Sequence, residues 1–207
     1  MNKLIYPLVF GLVVLPNLVS AAQIKTADQF ILPPSEQTLG NIYVGAGSAS
    51  VLGQVVGDLY VGAGTTVIAG QVTDDVVIAG GNTTITGNVG GDVRVLGGQV
   101  VITGRVGGDV LVIGGALNLA GQVGGDVDFI GGMLKVADGA SVVGNLTYRS
   151  DRKADIGSKA YIGGQITYDK TLAEKLGVLK NSADSKSFKT TILALFGAWL
   201  FLKLIMF

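Results

Sequence analysis

Neither cysteine nor histidine occurs anywhere in this chain. Their absence removes disulfides, the usual zinc ligand sets, and the Ser-His and Cys-His nucleophile pairs. A chain without cysteine does not declare its redox compartment, but it is compatible with life outside the cytoplasm. Aromatic residues are scarce at 7%, with one tryptophan, and charged residues reach only 14%. The 15 basic and 15 acidic side chains cancel to a formal net charge of +0. No basic stripe or aromatic ladder is left to form a nucleic-acid surface, so neither DNA nor RNA is expected as a partner.

What abounds is glycine, with 33 residues, in a chain that is 48% hydrophobic. That combination fits neither a disordered nor a helical protein. Asn41, Asp58, Asp75, Asp92, Asp109 and Asp126 fall at a constant spacing of 17, and most of the surrounding sequence repeats with them. A unit this short has no core of its own and must stack on its neighbours, so one repeat is one coil of a solenoid.

Columns read down the repeats tell inside from outside. Ile42, Leu59, Val76, Val93, Val110 and Val127 form one apolar column, and Val44, Val61, Ile78, Val95, Val112 and Phe129 form another two residues on. A third runs Val51, Ile68, Ile85, Ile102, Leu119, Val136, and a fourth Val55, Val72, Val89, Val106, Val123. Residues between them vary freely, as Tyr43, Tyr60, Val77, Arg94, Leu111 and Asp128 do. Alternation of this kind marks strands with one buried face. Glycines at 47, 64, 81, 98, 115 and 132, and at 53, 70, 87, 104 and 121, mark corners that need a positive φ or leave no room for a Cβ. Three short faces and three turns in each repeat predict an all-β, single-domain, triangular parallel β-helix. A left-handed helix built of three hexads per coil fails. Its coil would be one position too long, and its apolar residues must recur at every sixth position.

Beyond Asp126 the period lengthens. The segment 136–148 matches 156–168 without a gap at a shift of 20, so the coils continue with a longer corner at Arg149-Ser150-Asp151-Arg152-Lys153. Some eight coils at roughly 4.8 Å each predict a rod of about 40 Å.

The flanks concern location. Lys3, the apolar run Leu4 to Val19, and Val19-Ser20-Ala21-Ala22 read as a secretory signal peptide over 1–22, with an uncleaved anchor as the alternative. Residues 188–207 are apolar apart from a few positions and are long enough to cross a bilayer, with Lys203 placed to snorkel on the far side. The alternative is a helix packed on the solenoid end as a cap. The expected plan is therefore a signal segment at 1–22, a polar lead-in linker at 23–39, the β-helix at 40–168, a linker at 169–187 and a transmembrane α-helix at 188–207. Such a chain is exported and held in the cytoplasmic membrane, with its array on the exoplasmic face.

The array of Gly91-Asp92-Val93-Arg94-Val95-Leu96-Gly97-Gly98 coils, ending in the Gly144-Asn145-Leu146-Thr147-Tyr148 pattern, resembles the bactofilins, polymer-forming cytoskeletal proteins of bacteria. The resemblance covers 40–168. It implies a right-handed β-helix that assembles end to end without nucleotide or cofactor. The export signal and the C-terminal span depart from the cytoplasmic pattern of that family.

Several features bear on function. Stacked like charges at Asp58, Asp75, Asp92, Asp109 and Asp126 must either bind cations or accept corner N–H groups, and the second is expected because the nonapeptide calcium pattern is missing. Gly-Gly-Asp is not a phosphate loop, since no Lys-Ser or Lys-Thr follows it. Asn82-Thr83-Thr84 and Asn145-Leu146-Thr147 match the glycosylation sequon, a frequent chance match. Tyr43 and Tyr60 adjoin on an outer face, as surface cover or as a glycan platform.

Both coil ends read as open. Ile42, Val44 and Val51 mark the first end, and Ile156, Ile162, Ile166 and Tyr168 the last, unless Phe30-Ile31-Leu32 and the linker segment Thr171 to Lys180, which has helical spacing, cover them. Three functions follow in order: a self-associating structural protein of the envelope, a binding module for glycan or another envelope component, and a lyase-type enzyme. The last is weakest, because such chemistry needs clustered acids and bases in a groove. The chain is expected not to be an enzyme.

Overall fold

The computed structural model describes residues 22–170. The signal segment up to residue 21, the helical spacing at Thr171 to Lys180 and the span at 188–207 lie outside the described residues. No helix long and apolar enough to cross a membrane occurs among the described residues.

Each coil begins with a long strand, as in Ile42–Val51, Leu59–Ile68, Val76–Ile85, Val93–Ile102, Val110–Leu119 and Val127–Val136. Pairing within it skips the corner glycines, so that Ala46 pairs with Ala63 and Ser48 with Thr65 around Gly47 and Gly64. The long strand therefore supplies two faces. A short third face follows at Gln54–Val56, Arg105–Val106 and Gln122–Val123, joined by bridges at Val55, Val72, Val89 and Val106. Every pairing is parallel, and the order of strands in the main sheet is their order in sequence, from Gln23–Leu32 to Ile166–Asp169. The fold is thus a parallel β-solenoid that completes one turn per repeat, with no helix among the described residues.

All four predicted apolar columns are interior, and Val51, Ile68, Ile85, Ile102 and Leu119 are 0% exposed. A fifth column escaped the pattern: Ala49, Thr66, Thr83, Val100, Leu117 and Leu134 are also buried. Its upper members are small or polar, which hides the period. Interior side chains grow along the rod. The Val44 column ends in Phe129, Tyr148 and Tyr168, and a Cβ at Gly131 would meet the Phe129 ring, whereas Ala46 and Ala63 fill the equivalent corner above.

Most corner glycines are required for room and not for φ. A Cβ at Gly70, Gly87, Gly104 or Gly121 would land on the carbonyl of the glycine one coil before. Positive φ among the described residues occurs only at Gly40, Gly57 and Gly139.

Three expectations are corrected. Residues 23–39 are not a linker but a complete first coil: Gln23–Leu32 pairs along its length with Ile42–Val51, and Gln37–Leu39 pairs with Gln54–Val56. Its corner Pro33-Pro34-Ser35-Glu36 lengthens the turn, so the step from Gln23 to its partner Ile42 exceeds the regular period by two. Likewise, the steps from Val127 to Leu146 and from Leu146 to Ile166 exceed it by two and by three. The lengthening sits mainly in the corner the prolines occupy, at Ala137-Asp138-Gly139 and again at Gly157-Ser158-Lys159, and only one residue of it at Arg149 to Ala154. Asp169, assigned to the linker, closes the last strand.

Candidate functional site

The aspartate column is a chain of hydrogen bonds. Oδ1 of Asn41 accepts the backbone N–H of Asp58 at 2.9 Å. Oδ1 of Asp58 accepts that of Asp75 at 3.0 Å, Asp75 that of Asp92 at 2.9 Å, and Asp92 that of Asp109 at 2.8 Å. Asp109 continues to Asp126 at 2.8 Å, Asp126 to Asn145 at 2.7 Å, and Asn145 to Gln165 at 2.9 Å. Each side chain thus satisfies a corner amide of the following coil, and neutral asparagines stand at both ends of the carboxylate run.

The second carboxylate oxygens are treated unevenly. Oδ2 of Asp58 accepts the Tyr60 hydroxyl at 3.0 Å and faces the Asn41 amide. The Arg94 guanidinium bridges Asp75 and Asp92, so Arg94 is not the freely variable outward residue the columns suggested. Asp109 and Asp126 are exposed. No group of three or more His, Cys, Asp or Glu arranged to hold a metal ion occurs among the described residues.

Tyr43 and Tyr60 stack with ring centroids 4.5 Å apart and planes within 4°. Each ring spends one face on the other and turns its second along the column toward Ile24 or Val77, so edges look outward and a sugar ring would find no flat aromatic face there. Beside them Gly45, Gly62 and Ala79 leave an apolar groove of about 300 Å³, bordered by Ile24 and Val77. Burial first, and the Asp58 carboxylate second, push the Tyr60 phenol well above its ordinary range.

The two coil ends differ. Ile42, Val44 and Val51, expected at an open end, are interior: the first coil covers them, and Val44 is only 4% exposed. That coil puts Gln23 and Lys25 where the next has Ile42 and Val44, with Phe30, Leu32 and Thr38 completing its inner positions. A polar coil of this composition is a cap. At the other end, Ile156, Ile162 and Tyr168 are partly buried against the core, while Ile166 is 51% and Tyr161 60% exposed. Tyr168 stacks on Tyr148 with centroids 4.9 Å apart. The end expected at Ile42, Val44 and Val51 is therefore one coil further toward the N-terminus than the sequence suggested. Polar residues at the inner positions of 23–32 were the signal for the cap.

No family model, no curated protein and no solved structure matches this chain.

Proposed function

We propose that this chain is an exported structural protein, anchored in the membrane by 188–207, whose β-helix self-associates through a coil end without nucleotide as a scaffold of the cell envelope. The β-helix is right-handed and of bactofilin type in this reading, and the signal segment 1–22 is removed. The observation that carries it is the exposure of Ile166, 51%, on the last described strand. Ile166 and Tyr168 lie in that strand, in the columns that Leu146 and Tyr148 fill one coil earlier. An exposed apolar side chain on a terminal strand is stabilised by burial against another chain.

No catalytic role belongs to this reading. Lyase and hydrolase chemistry needs acids and bases gathered in a groove, and the groove over the first coils is lined by Ile24, Tyr43, Tyr60, Val77 and small residues. That same groove supports a second reading, a binding module for an envelope glycan, although the stacked tyrosines offer edges only.

Two measurements test the proposal on the full-length chain. Protease added to intact spheroplasts digests the array, and a high-salt wash leaves the protein in the membrane fraction. In detergent, light scattering registers species larger than one chain without added nucleotide. A monomer at every concentration sinks the structural reading and promotes the binding module.

A further inference from the structure

We infer that two copies of this chain pair side by side with their rods antiparallel, the aliphatic ridge on one face packing into the apolar groove on the same face of the other copy. This contact is separate from the coil end. One outward column carries both halves of it, running Gly45, Gly62, Ala79, Leu96, Ile113 and Ile130, each paired with the next across adjacent coils. Its first half is the floor of the groove of about 300 Å³, and its second half is a row of half-buried aliphatic side chains that lie outside the core. The column changes from hole to knob at its midpoint.

The fold itself does not require the hole. A Cβ at Gly62 would meet nothing nearer than the Val44 carbonyl oxygen at 4.0 Å, and one at Gly45 nothing nearer than the Thr26 methyl at 3.8 Å. Neither residue has a positive φ. Gly80 differs, because a Cβ there would land on the Ala63 carbonyl. Glycine inside a strand weakens it and marks places where another surface comes close. Gly45 and Gly62 thus keep open a space that side chains of this chain would fit, and an open apolar groove marks an interaction surface.

Period and charge identify the occupant as a second copy. Ridge and groove are built on the same stacked coils, so their rows repeat at the same spacing of roughly 4.8 Å and interlock in register. A two-fold axis across the rods, level with the step from Ala79 to Leu96, sets Gly45 of one copy against Ile130 of the other, Gly62 against Ile113, and Ala79 against Leu96. The neighbouring outward column then sets Tyr60 against Leu111, and Tyr43 against Asp128 at the rim. Arg94 faces Val77 with its guanidinium already held by Asp75 and Asp92. Parallel rods would exchange the two columns, setting Arg94 over Leu96 and Asp128 over Ile130, which places charge on apolar surface. The matched rows cover roughly 450 Å² per copy, at the low end for specific interfaces. Confinement to a membrane, as proposed above, raises the local concentration that such a contact needs.

Filling the groove from within tests the pair. In full-length protein in detergent micelles, Gly62→Leu is expected to keep the β circular dichroism spectrum and thermal midpoint, and to weaken pairing roughly tenfold or more by sedimentation velocity. Ile113→Lys, on the outward ridge, is expected to do the same. Adding Ile113→Ala to Gly62→Leu should restore pairing in part, which a glycine needed only by the fold would not do. Register is read separately, because the chain has no cysteine of its own. A mixture of Gly62→Cys and Ile113→Cys chains is expected to join through a short bismaleimide. Gly62→Cys alone should not, since the two copies of that residue lie roughly 14 Å apart along the antiparallel rods. Self-association unchanged by both Gly62→Leu and Ile113→Lys, or a cross-link between two Gly62→Cys chains, overturns the side-by-side pair and leaves the coil-end contact standing. Monomeric variants beside a dimeric parent support the pair and remove the coil-end contact. A parent that is monomeric throughout overturns both.

Discussion

Asp75 accepts the backbone N–H of Asp92 through Oδ1 and the Arg94 guanidinium through Oδ2, so one carboxylate joins its own coil to the next twice. Repeated along the rod, the first of these bonds explains why an acidic side chain recurs at the corner despite its like-charged neighbours. The acceptor is what each coil needs, and the charge is incidental to it.

The ladder therefore distinguishes an acceptor from a charge. Asp109→Ala removes the acceptor of the Asp126 amide, which water can only partly replace, and is expected to cost about 0.5–1.5 kcal/mol. Asp109→Asn keeps an oxygen acceptor and removes a like charge, and should lie within about 0.5 kcal/mol of the parent, on the stabilising side at low salt. Arg94→Asp, which replaces a bridging cation by a further anion, is expected to lose about 1 kcal/mol. Urea unfolding of the three variants reads the ranking. If Asp109→Asn proved as damaging as Asp109→Ala, charge and not hydrogen bonding would be the source of the ladder's stability.

Thr66 and Thr83 are 1% and 2% exposed, and their hydroxyl oxygens find no hydrogen-bond partner. A buried hydroxyl without a partner costs about 1–3 kcal/mol, and valine has nearly the same shape. Thr66→Val and Thr83→Val are each expected to raise stability by roughly 1 kcal/mol. A fall in the thermal midpoint of either variant would contradict the interior placement of that hydroxyl.

Interior and surface positions of one coil should respond to charge in opposite ways. Val95→Asp and Ile102→Asp place an uncompensated carboxylate in the core and should abolish the cooperative transition, at a cost above about 4 kcal/mol. Thr103→Asp, on the exposed side, should change stability by less than about 0.5 kcal/mol. Val44→Asp belongs with the first group, because the first coil covers Val44. A folded Val44→Asp variant would mean that this coil detaches easily.

Alkaline pH should act through Tyr60. Its phenol ordinarily titrates near 10.0, and burial raises that value in the folded chain. Below about pH 10 both states hold the proton and stability is pH-independent in this respect. Above it the unfolded chain ionises first, so stability falls as pH rises. Tyr60→Phe should flatten that decline in unfolding experiments run from about pH 9 upward. An identical slope in the variant would show that Tyr60 contributes nothing to it.

Much of this molecule is legible in its sequence, because a solenoid repeats its instructions. The columns through Ile42, Val44, Val51 and Val55 carry the alternation of a strand and the period of the coil together, and both survive into the fold. The first coil did not stand out. Pro33-Pro34 lengthens its corner, and Gln23 and Lys25 break the apolar column, as a cap must if it is to face water. The Ala49 to Leu134 column was obscured for another reason: two threonines occupy it without hydrogen bonds, a choice that burial alone does not predict. The ladder's oxygens were foreseeable as acceptors, but the Arg94 bridge depends on side-chain reach between coils, which no single-column pattern encodes.

The chain enters at Gln23 in the first coil and leaves after Asp169 in the last strand, so a pull between its two ends acts along the rod axis. Tension in that direction loads the bonds between coils one row at a time, as in unzipping, and not all together as in shear. Each coil that peels away releases about 55 Å of chain beyond the space it occupied. Under force the rod would lengthen in small, nearly equal steps, with the corner hydrogen bonds of the aspartate column setting the height of each.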